Sequence, residues 1–171
     1  MKNFQMKKIF FLITLIASLF ASPTANAVKY KFDPSRGIQI SQVSTGSNDW
    51  KWVKVVCIAK NANKAIEQAQ IDAIESCLFY GIAENKVMGL AKVIPICEDE
   101  SQAFMTHKKF FEKLFKKDIF KYYIKQVHTG YPTGENNVRL FDGKQKVTIE
   151  FLVDYEGLRN LLKENNINTS W

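Results

Sequence analysis

Three cysteines stand at positions 57, 77 and 97, two histidines at 107 and 128, and seven lysines lie between Lys108 and Lys125. Each set implies a different chemistry. A cysteine nucleophile needs a base within hydrogen-bond reach, ordinarily a histidine held by a third group. No local pattern ties Cys57, Cys77 or Cys97 to His107 or His128. The cysteine spacing is not that of a thiolate zinc site either, because such sites bring their ligands in as close pairs. In an oxidising compartment two of the three could pair. Cys57 with Cys97 is the favoured disulfide, since both fall in or beside predicted strands, and Cys77 then reads as a buried small hydrophobe. No serine-hydrolase elbow, zinc-protease helix, phosphate-binding glycine loop or dinucleotide fingerprint occurs. The carboxylates are scattered, so no catalytic, cofactor-binding or metal-binding residue is nominated, and no cofactor is expected.

The lysines offer a different function. From Lys108 to Lys125 seven lysines face only Glu112 and Asp118, a net charge of +5. Lys108, Lys109, Lys113, Lys116 and Lys117 form a candidate surface for an anionic partner such as lipid headgroups or an acidic protein face. The bland reading is a solvated helix face, because phenylalanines alternate with these lysines and would turn toward a core. Trp50 and Trp52 with Tyr122 and Tyr123 could make an aromatic platform for a glycan or peptide, against the ordinary reading of sheet packing.

The start of the chain says where such a surface would operate. Lys2, Lys7 and Lys8 precede an apolar run from Ile9 to Phe20, and Ala25-Asn26-Ala27 is the small-x-small pattern cut by a signal peptidase. Cleavage is expected between Ala27 and Val28. Removing residues 1–27, with three lysines and no acid, from 171 residues of net charge +7 leaves 144 residues and +4. The apolar run is shorter than the roughly 20 residues a spanning helix needs. The first cysteine is Cys57, so no lipid-attachment cysteine follows the leader. The expected address is periplasmic or secreted, with no transmembrane span after cleavage, and export disfavours a nucleic-acid partner.

The elements that would position these residues follow from periodicity. Trp50 to Lys60 alternates as a strand, with Val53, Val55 and Cys57 on one face and Trp50, Trp52, Val56 and Ile58 on the other. Two largely apolar faces predict a strand covered on both sides for part of its length. Asn61 to Tyr80 switches to helical spacing through Ala65, Ala69, Ala73 and Cys77, and Gly81 stands at the expected stop. Val87 to Cys97 carries Gly89 and Pro95 and suits a strand or an irregular buried connection. A second helix is predicted from about Ser101 to Lys117, then a strand from Phe120 to Val127. Lys144 to Asp154 alternates as the last strand, antiparallel to the preceding one. Asp154 is placed to cap a short closing helix through Leu158, Leu161 and Leu162.

The strand Trp52-Val53-Lys54-Val55-Val56, the alanine-spaced helix and the strand Lys146 to Asp154 leading to the closing leucines are similar, in that order, to a known family. They resemble the small exported α/β domains found at the N-terminus of flagellar assembly protein T and in related envelope lipoproteins. The phenylalanine-lysine helix has no counterpart there, and the lipoproteins' lipid-bearing cysteine is missing. The resemblance implies a noncatalytic envelope module that assembles with other proteins, and it transfers no site residue.

The expected architecture is α+β: a mostly antiparallel sheet of about four strands, with two longer helices and a short C-terminal helix packed on it. The expected organisation is a leader over 1–27, an N-terminal arm or entry strand over 28–49, one domain over 50–165 and a polar tail over 166–171. The expected role is structural or protein-interacting in the cell envelope, with another envelope protein as partner. The competing expectation is a small-ligand binder or enzyme whose site is assembled from distant residues.

Overall fold

A computed structural model describes residues 30–33, 35–44, 49–97 and 99–170. The predicted leader, its cleavage position at Ala27 and Val28, and the terminal Trp171 lie outside the described residues. Two ten-residue strands form the centre: β2 (Trp50–Ala59) and β5 (Gln145–Asp154) pair antiparallel along their whole length, from Trp50 opposite Asp154 to Ala59 opposite Gln145. β1 (Gln39–Ser44) pairs with the free side of β2. The other side of β5 takes β3 (Ile124–Gln126) near Val153 and β4 (Asn137–Arg139) near Lys146. All pairings are antiparallel, so the fold is α+β on a five-stranded antiparallel sheet.

Strand alternation sends Val53, Val55 and Cys57 of β2 and Val147, Ile149, Phe151 and Val153 of β5 to one face, where all are buried. Each such side chain is worth roughly 1.5–3 kcal/mol of burial. Helix α1 (Ala62–Glu75) lies over this face and touches both central strands. It begins where the Asn61 side chain accepts a hydrogen bond from the Lys64 amide at 3.0 Å. Its buried stripe is Ala65, Ala69 and Ala73, whose small side chains let the helix axis come close to the sheet.

At Ser76 the helix widens into a π-turn that runs to Tyr80. There the Cys77 and Leu78 carbonyls accept the amides of Ile96 and Cys97, both at 2.9 Å, so the later chain is stapled to the widened turn. Gly81 ends it with φ 72, and a Cβ at that position would stand 2.5 Å from the Val93 carbonyl oxygen. Only glycine meets both conditions. Residues 82–97 then form an irregular connection with bridges between Ile82 and Val93 and between Asn85 and Leu90.

Several expectations are corrected. The helix read as continuous from about Ser101 to Lys117 is two, α2 (Glu100–Thr106) and α3 (Lys108–Lys116), broken at His107 with φ −111 and ψ 29. The break lets Phe104 and Phe111 enter one aromatic cluster, their rings 5.8 Å apart and Phe111 5.0 Å from Phe79. The strand read from Phe120 is strand only at Ile124–Gln126. Asp118 turns the chain in the left-handed region and a 3₁₀ turn spans Ile119–Tyr123. Three-residue spacing there buries Phe120 and packs Tyr123 on the core, leaving Lys121 and Tyr122 outside.

The arm and the tail are both anchored to the core. Tyr30 stacks on Phe115 with ring centroids 4.2 Å apart, and Phe32 stacks on Phe104 at 3.9 Å. Ile167 is buried and the Ser170 amide donates to the Ile96 carbonyl at 2.7 Å. The closing helix α4 (Tyr155–Glu164) starts as read, with an Asp154 carboxylate oxygen accepting the Gly157 amide at 2.8 Å.

The coverage of the sheet differs most from expectation. Trp50, Trp52, Val56 and Ile58 were expected to be covered for part of the strand's length. None of them is buried, nor are Thr148, Glu150 and Leu152 beside them on β5. The sheet is packed on one face and open on the other, the usual condition of an antiparallel sheet.

Candidate functional site

The open face has a polar centre at Glu150. Its position opposite Lys54 in the β2–β5 register brings Lys54 Nζ to 3.0 Å from one carboxylate oxygen. The other oxygen accepts a hydrogen bond from the Trp52 indole nitrogen at 3.1 Å and lies 3.9 Å from His128 Nε2. The loop after β3 forms one wall. Gln126 Nε2 folds that loop by donating to the carbonyls of His128 at 2.6 Å and Gly130 at 2.7 Å. At the loop's far end the Tyr131 hydroxyl bonds the Asn63 side chain at the start of α1. Lys54, Gln126, His128, Tyr131, Thr148 and Glu150 line a cleft of about 320 Å³.

This cleft can hold a polar ligand by hydrogen bonding and ring contact. Its hydroxyls belong to Thr129, Tyr131, Thr133 and Thr148, and its carboxylate is engaged by Lys54 and Trp52. On one side of this centre Trp50, Trp52 and Leu152 form a half-buried apolar patch, with Lys125 Nζ 4.7 Å above the Trp50 ring, and on the other side stand Val56 and Ile58. Tyr122 and Tyr123 sit on the 3₁₀ turn, Tyr123 packed against the core, so of the four aromatic residues weighed as a platform against ordinary packing only the two tryptophans lie together on the open face.

Beneath the sheet a second polar cluster is enclosed. Arg36 pairs with Asp72 at 2.7 Å and with Glu75, and the Tyr30 hydroxyl donates to Glu75 at 3.0 Å. Burial raises both carboxyls, Glu75 to about 7, against the opposing pull of Arg36 and, for Glu75, of the Tyr30 hydrogen bond. Burial likewise pushes the Tyr30 hydroxyl far above its ordinary value. Neither Asp72 nor Glu75 lines the cleft described above. The cluster ties residues 30–36 to α1 just before the helix widens, a structural clamp.

In this structure Cys57, Cys77 and Cys97 are all buried and free. Cys57 lies under α1 close enough to Asp72 for that carboxylate to act on it, whereas the Cys97 amide is bonded at Leu78. Desolvation raises all three thiols, Cys57 to about 11 and Cys77 and Cys97 to about 12, the opposite of what a nucleophilic cysteine requires. His128 is on the outer side of the sheet from Cys57, and His107 lies at the α2–α3 break in a hollow with Asp99 and Gln102. The described residues bring no cysteine–histidine pair together. Among them, no group of three or more metal-ligating side chains occurs, and no helix is long and apolar enough to cross a membrane.

Lys108, Lys109, Lys113, Lys116 and Lys117 are all exposed, with Phe111, Leu114 and Phe115 buried behind them. Lys116 pairs with Glu112 at 3.0 Å. The structure thus gathers the five candidate lysines on one solvated face. Two features were missed in the sequence: the Glu150 centre, which needs the strand register, and an exposed hairpin tip at Phe141. Alternation of Thr148, Glu150 and Leu152 against a buried set was the available signal for the first. Compared with protein-family models, curated proteins and solved structures, the chain has no match.

Proposed function

We propose that this chain is an exported, noncatalytic cell-envelope protein that serves as an interaction module, docking another envelope protein on the open face of its sheet. The observation that carries the reading is the half-buried apolar patch of Trp50, Trp52 and Leu152 on the open face of the sheet. Contiguous apolar surface rimmed by polar residues is a mark of an interaction site. Lys54, Glu150 and Lys125 supply such a rim. The leader read in the sequence and the resemblance to envelope modules support the compartment.

The experiment is site-specific crosslinking in intact envelopes, with a photoreactive residue at Trp50. A discrete crosslinked species is expected, and it should be lost when Leu152→Lys is added to a protein that still unfolds cooperatively. An unchanged crosslink in that variant would remove the reading. A second reading, a small polar ligand in the cleft, is favoured by the convergence of Trp52, Lys54 and His128 on Glu150. A ligand of that kind should raise the melting temperature of the native protein but not of Glu150→Ala. Equal shifts in both would exclude it.

A further inference from the structure

We propose that the tip of the β4–β5 hairpin docks on an anionic lipid surface, Phe141 entering the headgroup layer while Arg139, Lys144 and Lys146 meet the phosphates. Phe141 is fully exposed, the most exposed large apolar side chain among the described residues. The turn beneath it is well tied. The Leu140 amide donates to the Lys144 carbonyl at 2.8 Å, the Gly143 amide to the Leu140 carbonyl at 3.0 Å, and the Lys144 amide to the Asp142 carboxylate at 3.0 Å. Asp142 and Gly143, with Gly143 at φ 80, satisfy what the turn requires of its sequence. Nothing in the turn's geometry calls for an aromatic residue at its apex, and no core contact holds Phe141 there.

The surroundings of the tip are basic. Residues 138–146 carry a net charge of +2, and Lys60 stands exposed at the adjoining end of β2. The only acid among residues 138–146, Asp142, is paired with Lys144 at 2.8 Å. Behind the tip the register sets Ile58, Lys146 and Val138 side by side on the open face, with Ile58 and Val138 51% and 41% exposed. An apolar point ringed by cations matches a surface that is negative outside and apolar a few ångströms below, which is an anionic bilayer. A convex apex of this kind has little area to bury against a rigid protein face, whereas a lipid interface closes around it.

This surface is distinct from the α3 lysines. β3, which follows α3 in the chain, pairs with β5 at Phe151–Val153, whereas β4 pairs with the other end of β5 at Gln145–Val147. It is also separate from the apolar band proposed to hold a protein, so either can fail alone.

The test uses the full chain, purified as exporting cells process it, and vesicles of phosphatidylcholine with or without phosphatidylglycerol at about 0.1 M salt. Cosedimentation with the anionic vesicles only is expected. Phe141→Ser should weaken it about tenfold, and Lys144→Gln with Lys146→Gln about 10- to 30-fold. Phe141→Trp should keep binding and add blue-shifted emission on anionic vesicles. Binding of Phe141→Ser equal to wild type would overturn the proposal, as would no binding of wild type. So would retention on heparin without vesicle binding, which would indicate an acidic polymer or protein partner. Loss only in Lys113→Gln, Lys116→Gln, Lys117→Gln would move the contact to α3 and overturn it as well.

Discussion

Replacing Arg36 by methionine keeps much of the side chain's volume while removing the cation that pairs with both Asp72 and Glu75. The two carboxylate side chains are 6% and 1% exposed, so water cannot take the guanidinium's place. Breaking one side of a buried ion pair costs about 3–5 kcal/mol when the remaining partner stays charged. That cost depends on pH, because burial raises the Glu75 carboxyl from 4.5 to about 7. Between those values the native state binds more protons than the unfolded chain, so the stability present in acid is lost as pH rises through the window. The rise corresponds to about 3 kcal/mol, an order-of-magnitude figure. Asp72 shifts in the same direction and for the same first cause, desolvation. At pH 8, where Glu75 is ionised against Arg36, Arg36→Met should therefore cost about 3–5 kcal/mol. At pH 5 Glu75 is protonated in the native state, and the cost should fall below its value at pH 8, leaving the Asp72 side of the pair as the remaining penalty. Urea unfolding followed by far-ultraviolet circular dichroism at both pH values measures the two penalties. Equal penalties, or less than about 1 kcal/mol at pH 8, would refute the argument that the buried pair is held by this arginine.

Gly81→Ala should destabilise by about 2–4 kcal/mol, combining left-handed strain with the clash at the Val93 carbonyl, and denaturant titration reads it directly. Asp154→Ala removes the cap of α4 and should cost about 1 kcal/mol in the same assay. Phe111→Ala, at the centre of the aromatic cluster, should cost about 3–5 kcal/mol. The buried thiols should resist an alkylating agent in native buffer and react in denaturant without reductant, giving three adducts by intact mass. Fewer adducts without reductant, restored by it, would mean that a disulfide forms.

Much of the frame is local in origin and could be read along the chain. Val53, Val55 and Cys57 alternate because a strand repeats every two residues, and Ala65, Ala69 and Ala73 recur because a helix turns every 3.6. Gly81 and Asp154 act through atoms a few residues away. The misread segments are those in which a distant contact overrides the local period. His107 breaks a good helical pattern so that Phe104 and Phe111 can share one cluster. Phe120 to Tyr123 alternates like a strand, yet Asp118 turns the chain and three-residue spacing buries Phe120. The docking of Tyr30 on Glu75, 45 residues apart, has no sequence signal at all.

The candidate site divides in the same way. The residues that carry it, Trp52, Lys54, His128 and Glu150, were visible as types, but not as a group, because Trp52 and Glu150 are 98 residues apart and meet only through the β2–β5 register. The exposed lysines of α3 followed from amphipathic spacing alone. Periodicity states which side chains share a face, so it determined the central strands, the alanine helix and its stop. It does not state whether a face is covered, because coverage depends on where the rest of the chain goes. Only the tertiary structure decided that the Val53–Phe151 side of β2 and β5 is buried, while Trp52, Glu150 and the hairpin tip at Phe141 are not.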